Sequence, residues 1–466
     1  MAVTFSSSTT EKREYLAERI EAHGVADLRA LSSLRDYQVE GAFELEQKRR
    51  FLLLDTMGLG KTIQTIVALQ ALGSFNTLIT SRRSTLSVWQ DEMEKWWPAC
   101  QLVSWEGSPK KRENIWTNYQ SLTCTRALLV TMDTLASLPS KHFISTIVDE
   151  CHKAKGRNTK RFKNLQQIRS ENLFQLTGTP TSHSGADLFT YLNLIDPKNF
   201  GSFWNFVTKY FACEQGEWGE LKVLAVKKPE EFRELMQRYA LRREKDVAGL
   251  PPKTLQAIRV DLPPATRRLY DEFRKTRLIE YEDTVLMAST PLVRTTRERQ
   301  LLVSPRILGF DLPSPAIDAT TEITCDALDG GESVGIFTPF RGAIPFIQEA
   351  LIRGGVREDQ IFVVEAGGSD TVASFQRAPK EGVIISTQAM AESWTATKAS
   401  VGIACGYDWS PVTNQQAEDR LHRIGQKRGV IFYYILNRNT LDDHVMDVLN
   451  GKTTWHNLVT RAAQDV

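Results

Sequence analysis

The sequence predicts an α/β protein of two lobes, each a parallel sheet flanked by helices, with a helical insertion in the second half. Three observations carry this. Short β-rich runs alternate with stretches of helical spacing from Phe51 to Leu176, and a second series runs from Val334 to Leu436. Alternation of this kind gives parallel sheets with ligands at the strand C-termini. A glycine loop, Leu54-Asp55-Thr56-Met57-Gly58-Leu59-Gly60-Lys61-Thr62, follows the first run. Between the two series proline and charge accumulate, from Leu241-Arg242-Arg243-Glu244-Lys245-Asp246 through Pro251-Pro252-Lys253, which marks a domain junction.

In chain order, Ser8 with Glu11 reads as a capping box opening a helix through about Ile20. Leu34 to Gly41 reads as an amphipathic helix. Phe51 to Leu54 is a short buried strand, and Ile63, Ile66, Val67 and Leu72 give the helix after the glycine loop. Thr77–Thr80, Gln101–Ser104, Ala127–Thr131, Ile144–Val148 and Leu173–Leu176 read as strands, with Leu86–Trp97 and Arg161–Ile168 helical between them. Residues 265–308 are helical and charged. Asp311 to Glu332 is polar with Pro and Gly and reads as a loop. The second series of strands is Val334–Thr338, Ile361–Glu365, Val383–Thr387, Val401–Cys405 and Ile431–Leu436. The expected domains are an N-terminal helical extension over 1–30, a first lobe over 31–240, a junction and helical insertion over 241–330, and a second lobe with a terminal helix over 331–466.

Composition narrows the function classes. The chain has 466 residues, 41% hydrophobic and 24% charged, as in a soluble globular protein. A net charge of +2 gives no global polyelectrolyte signal, so any nucleic-acid surface is a local groove. The six cysteines are scattered with no C-x-x-C, which argues against zinc and against a disulfide framework and fits a reducing compartment. No apolar stretch is long enough to span a membrane.

Three stretches carry chemistry. Strand, glycine loop, Lys-Thr and helix is the layout of a phosphate-binding loop. Gly58 and Gly60 let backbone N–H groups turn inward on a phosphate at a helix N-terminus. Lys61 would reach the β/γ-phosphates and the Thr62 hydroxyl would hold Mg²⁺. Asp55 stands where a strict motif has its first glycine; an ordinary glycine turn capping a helix is the alternative. Asp149-Glu150-Cys151-His152 ends an apolar strand with two acids: Asp149 suits Mg²⁺, and Glu150 suits orienting or deprotonating an attacking water. Arg420 and Arg423, three apart, share a helix face and can neutralise charge on a transferring phosphoryl group, although a solvated basic helix looks the same locally. Two α/β lobes of which one carries a phosphate loop imply a nucleotide cleft between them.

Together these segments resemble the Swi/Snf-type ATPases of helicase superfamily two, from about Leu34 to Gln426. Leu34–Gly41 is similar to the adenine-reading motif, with Gln38 on the base. Asp55–Thr62 resembles motif I, Leu78–Pro98 with Trp89 the motif Ia region, Asp149–His152 motif II, and Leu176-Thr177-Gly178-Thr179-Pro180 motif III. Arg242, Arg243 and Lys245 resemble the interlobe junction. Asp408-Trp409-Ser410-Pro411 leading to Arg420-Leu421-His422-Arg423-Ile424-Gly425-Gln426 is the most specific piece. The departures are Thr56 where an acid is usual, His183 for the usual Asn, and a motif V stretch, Ser386 to Trp394, without the family's glycines.

The resemblance implies two RecA-like lobes and an ATPase stimulated by duplex DNA. Lys61, Asp149, Glu150, Arg420 and Arg423 would be catalytic. Gln38, Gly58, Gly60, Lys61 and Thr62 would bind ATP, with Thr62 and Asp149 holding Mg²⁺. Ser81, Arg82 and Arg83 on the first lobe and Arg341, Ser386 and Thr387 on the second would touch DNA phosphates, giving backbone-read, sequence-independent binding. The expected protein is a compact motor, monomeric in solution, in the cytoplasm of a bacterium or encoded by a phage, acting on duplex or branched DNA or on protein–DNA complexes. A strand-separating or branch-migrating helicase is the alternative enzyme. A nucleotide-gated DNA clamp uncoupled by the motif V departures is the alternative without turnover.

Overall fold

The computed structural model describes residues 8–154, 156–180, 185–215, 221–276, 278–281, 284–287, 291–365, 369–408 and 410–443. His183, Trp409 and the expected terminal helix lie outside the described residues. The chain divides after Ala248 into two compact units.

The first unit is built on a seven-stranded parallel sheet. Its strands are β1 (Arg50–Leu53), β2 (Asn76–Ser81), β3 (Gln101–Ser104), β4 (Arg126–Thr131), β5 (His142–Asp149), β6 (Arg169–Leu176) and, after a β7/β8 hairpin (Phe211–Gln215, Leu221–Val226), β9 (Ala240–Leu241). The order is β3-β4-β2-β5-β6-β1-β9, which sets the ends of β5, β6 and β1 side by side. Both faces are covered. Leu52, Leu78, Leu128 and Val148 pack into one cluster, and Phe51, Leu53, Ile79, Leu129 and Ile147 into another. Alternate side chains thus enter opposite cores, so consecutive apolar residues are both buried.

The Thr9–Ala22 helix opens on the capping box: Glu11 N–H donates to Ser8 Oγ and Ser8 N–H to Glu11 Oε2. Its Leu16 and Ile20 pack on Val39, Ala42 and Phe43 of the Asp36–Lys48 helix and on Ile63 and Val67 of the Lys61–Ala71 helix. The N-terminal extension is therefore part of the first unit's core.

The second unit holds a six-stranded parallel sheet of order β10-β17-β16-β13-β15-β14. Its members are β10 (Lys253–Val260), β13 (Ser333–Thr338), β14 (Ile361–Val363), β15 (Val383–Thr387), β16 (Ala399–Cys405) and β17 (Val430–Asn437); β11 (Leu278–Tyr281) and β12 (Thr284–Met287) form a separate hairpin.

Two expectations fail here for physical reasons. Residues 241–330 are not only a junction and helical insertion: β10 pairs with β17 along its whole length. As an edge strand it is largely exposed, so Lys253, Gln256 and Arg259 interrupt the apolar signal of a buried strand. Asp311–Glu332 is not a loop either. Pro315–Asp329 is helical, with Pro315 in the first turn and Ala316, Ile317, Thr320 and Thr324 buried along one face. The threonine hydroxyls donate to Ala316 O and Thr320 O, so polar residues line a buried face without unpaired groups.

Candidate nucleotide site and basic hollow

The ends of β1, β6 and β5 bring three loops together in the first unit. Gly58 and Gly60 have φ of 88° and 73°, a left-handed backbone that only glycine adopts without penalty, and the Lys61–Ala71 helix starts directly behind them. After β6, a Cβ on Gly178 would lie 2.7 Å from Met57 Cγ and 2.9 Å from its backbone N, so the motif III turn packs tightly on the phosphate loop.

Asp55, which takes the place of a glycine, has a structural task. Its side chain is fully buried, and Arg243 meets both oxygens at 3.0 and 2.6 Å. Gln64 joins them, accepting from Arg243 Nη2 (2.8 Å) and donating to Asp55 Oδ2 (3.2 Å) and Leu59 O (3.2 Å). The segment after β9 continues along the loop. Leu54 N–H donates to Leu241 O and Thr56 N–H to Arg243 O. The Thr56 hydroxyl lies 2.6 Å from Glu244 Oε2, and Arg242 pairs with the same carboxylate. Thr56, where an acid is usual in the resemblance, thus has the Glu244 carboxylate beside it.

Lys61 Nζ donates to Asp55 O at 2.6 Å. Burial holds its ammonium below the ordinary lysine value, against the pull of Glu150, Asp55 and Asp149. Thr62 follows in the first turn of the same helix. Gln38 is buried: Arg35 N–H donates to its Oε1, and its Nε2 donates to Leu59 O at 3.0 Å. A Cβ on Gly60 would lie 2.4 Å from that Nε2, so glycine is required for the loop to rest on Gln38. As placed, Gln38 buttresses the phosphate loop.

Asp149 ends β5. Its Oδ2 accepts from Ser81 Oγ (2.9 Å) and Trp89 Nε1 (3.0 Å), and its Oδ1 from Glu150 N–H (3.0 Å). Burial, with Glu150 beside it, pushes the Asp149 carboxyl up to about 6. Glu150 has φ of 48°, a strained setting for a non-glycine residue of the kind that clusters at functional sites. Its Oε2 lies 3.2 Å from His152 Nδ1, which also faces Thr177 Oγ1 at 3.0 Å. Burial lowers the His152 pKa, which keeps the ring neutral.

The ends of β2 and β4 border a hollow of about 560 Å³. Arg82, Arg83, Arg112, Lys153 and Arg161 line it, with Asp133 paired to Arg161 at 2.7 Å. Arg82 and Arg83 are where a DNA surface was expected. Ser81 borders the same hollow, but its hydroxyl is buried on Asp149. In the second unit Arg341 is exposed and paired with Glu365. Ser386 and Thr387 are buried, and Ser386 Oγ donates to Thr387 O, so as placed neither offers a hydroxyl to an outside phosphate.

Arg420 and Arg423 do not share a helix face. The Pro411–Leu421 helix ends in a cap at His422, which puts Arg420 in the last turn and Arg423 beyond it. Arg420 is 9% exposed, donating to Gln416 O (3.2 Å) and Trp394 O (2.9 Å), while Arg423 donates to Thr395 Oγ1 at 2.6 Å. The motif V stretch is closed by Trp394, stacked on Phe337 at 5.8 Å, and by Gln388 Nε2 donating to Gly406 O.

Residues 26–307 match the SNF2-related domain, and residues 365–425 match the helicase conserved C-terminal domain. The chain belongs to the SNF2-related family. It is similar to an uncharacterised ATP-dependent helicase of Mycoplasma genitalium, 27% identical over 94% of this chain and 43% of that protein. To the CHD3-type chromatin-remodeling factor CHR7 of Arabidopsis thaliana it is 25% identical, over 92% of this chain and 37% of that one. The solved SWI2/SNF2 ATPase core of Sulfolobus solfataricus in complex with dsDNA is 22% identical, covering 92% of this chain and 94% of that one, with a TM-score of 0.43. The chain spans less than half the length of the curated relatives it matches.

Within this SNF2-related chain, the buried pair Arg243–Asp55 and the donors on Asp149 are what sequence reading missed. Arg243 and Trp89 were placed in matching segments, but no local pattern shows that an arginine 188 residues away in sequence is the counterion of Asp55.

Proposed function

We propose that this chain is a DNA-stimulated ATPase that moves along duplex DNA by contacts to its sugar–phosphate backbone. The observation that supports this best is the convergence of Lys61, on the loop after β1, with Asp149 and Glu150 at the end of β5, both acids acting on the Lys61 charge. The residues fit a magnesium nucleotide: a glycine loop in left-handed backbone at Gly58 and Gly60, a helix N-terminus behind it, and two carboxylates at the end of β5. Thr62 and Asp149 would hold Mg²⁺, which when bound neutralises phosphate charge.

The chain's own residues then divide the work. Lys61 exchanges Asp55 O for phosphate oxygens. Ser81 and Trp89 fix the Asp149 carboxylate in one orientation. Glu150 takes the proton of the attacking water, and neutral His152 bridges Glu150 to Thr177 on the motif III turn. The cations around the hollow suit polyanion phosphates and carry no base readout, so binding is independent of sequence and sensitive to salt. The names of the relatives, ATP-dependent helicase and chromatin-remodeling factor, agree with this reading.

Phosphate release measured without DNA and with single-stranded, duplex and forked DNA tests it. Stimulation by duplex without strand displacement is expected. Displacement of a labelled strand would make the chain an unwinding helicase, and nucleotide binding without turnover on any DNA would make it a clamp.

A further inference from the structure

Two donors from different elements hold one oxygen of Asp149, and the short segment joining those elements lines the basic hollow. Ser81 closes β2 and Trp89 lies in the Leu86–Trp96 helix; both donate to Asp149 Oδ2. Between them runs the turn Arg82–Thr85, whose two arginines line the hollow. The turn is tied down from inside. Thr85 N–H donates to Arg82 O at 3.1 Å, and the Thr85 and Ser81 hydroxyls lie 2.5 Å apart. Thr85, Ser81, Asp149 and Trp89 therefore form one continuous hydrogen-bonded chain, its three donors buried and its carboxylate partly so, from the floor of the hollow to the end of β5.

We infer that Ser81, Thr85 and Trp89 are positioning residues that transmit phosphate binding in the hollow to Asp149, and that this relay is how nucleic acid stimulates turnover. The inference rests on the DNA-stimulated ATPase reading. Phosphates drawn to Arg82 and Arg83 pull on a turn of four residues. That turn cannot shift without moving the Ser81 hydroxyl at one end or the start of the Trp89 helix at the other. Either movement changes the pair of donors that orients the carboxylate. Charged-group hydrogen bonds are strong and directional, so a displacement of a few tenths of an ångström is felt at the carboxylate. Buried networks of this kind take discrete arrangements rather than deforming smoothly, which suits a switch between unstimulated and stimulated forms.

The test uses two variants that leave the hollow's cations in place. Trp89→Phe removes the indole N–H and keeps most of the ring volume. Thr85→Val removes the hydroxyl that joins Ser81 to the turn and keeps the side-chain shape. For the unaltered chain and each variant, one measures turnover with and without saturating duplex DNA, together with duplex affinity by fluorescence anisotropy. The expected result is a stimulation ratio at least about fivefold smaller in both variants, with duplex affinity within about twofold of the unaltered chain. A general loss of structure would instead lower affinity and both turnover rates together. A stimulated unaltered chain with unchanged ratios in both variants overturns the relay alone. An unaltered chain that hydrolyses ATP without any response to DNA overturns the functional reading and the relay with it.

Discussion

Arg243 meets both carboxylate oxygens of Asp55 at a point that neither shares with solvent, and through them the exit strand of the first unit is fastened to the phosphate loop. Its guanidinium also reaches Gln64 Oε1 and Tyr37 O, so one cation ties together four segments. Gly41 makes room for it: a Cβ there would lie 2.6 Å from Arg243 Nη2.

Truncating that arginine leaves a buried, uncompensated carboxylate. Arg243→Ala is expected to destabilise the first unit by about 3–5 kcal/mol. The double change Asp55→Leu with Arg243→Met should recover much of that, because the charge is removed along with its partner. Urea unfolding of the three chains checks both statements; equal losses in the single and double variants would show that shape, not charge, governs the site.

Lys61→Ala should abolish hydrolysis, since its ammonium is the cation placed at the mouth of the loop. Glu150→Gln should retain nucleotide binding and turn over hardly at all: the amide keeps the shape and cannot accept the proton. Fluorescent-nucleotide titration beside phosphate release separates the two. A Glu150→Gln protein that fails to bind nucleotide would give Glu150 a structural role.

Asp149 should make stability depend on pH in metal-free buffer. Its folded pKa, about 6, is above the ordinary aspartate range. Between that range and about 6 the folded protein keeps a proton that the unfolded chain has released, so stability falls as pH rises through this window. Asp149→Asn removes the penalty, but its one amide oxygen can accept from Glu150 N–H or from Ser81 and Trp89, not from both sides. A net gain on the order of 1 kcal/mol is expected at neutral pH, disappearing well below pH 6. Adding Mg²⁺ should raise the melting temperature of the unaltered chain and leave that of the variant unmoved. A gain independent of pH would assign the effect to something other than this carboxylate.

The parts of the fold that could be read from the chain are those with a two-sided core. β1, β2, β4 and β16 are buried on both faces, so apolar and small residues follow one another along them without alternation. β10 was hidden because an edge strand tolerates Lys253 and Arg259, and the Pro315–Asp329 helix because its buried face carries threonines. At the site, Lys61 and Asp149 stand out since strand-end position and residue type coincide. The second layer could not be read in the same way. Trp89 has the spacing of any core tryptophan, and only the meeting of β2 and β5 in the sheet brings its N–H to Asp149. Ser81 resembles a surface hydroxyl at the end of a strand, yet that same pairing buries it.

The two arginines at the end of the Pro411–Leu421 helix should behave differently. Arg420 is nearly buried, and its Nε and Nη1 donate to backbone carbonyls, one of them Trp394 O. Arg420→Ala therefore strands those carbonyls and should destabilise the second unit by about 1–3 kcal/mol, visible in unfolding before any kinetics are measured. Arg423 lies past the helix end and donates to the Thr395 hydroxyl. If Arg423 supplies charge to the transferring phosphoryl group, Arg423→Ala should lower kcat by roughly 10³ to 10⁵, the range assigned to arginine fingers. Nucleotide affinity should stay within about tenfold, because an interaction made only in the transition state affects kcat rather than ground-state binding. A solvated basic residue would change neither quantity. Loss of DNA affinity with normal basal turnover would make Arg423 a DNA contact. Measuring kcat with and without duplex in the same protein separates these cases: a larger loss in the DNA-saturated state is expected, and an equal loss in both would keep the arginine at the reaction while removing DNA as what brings it there.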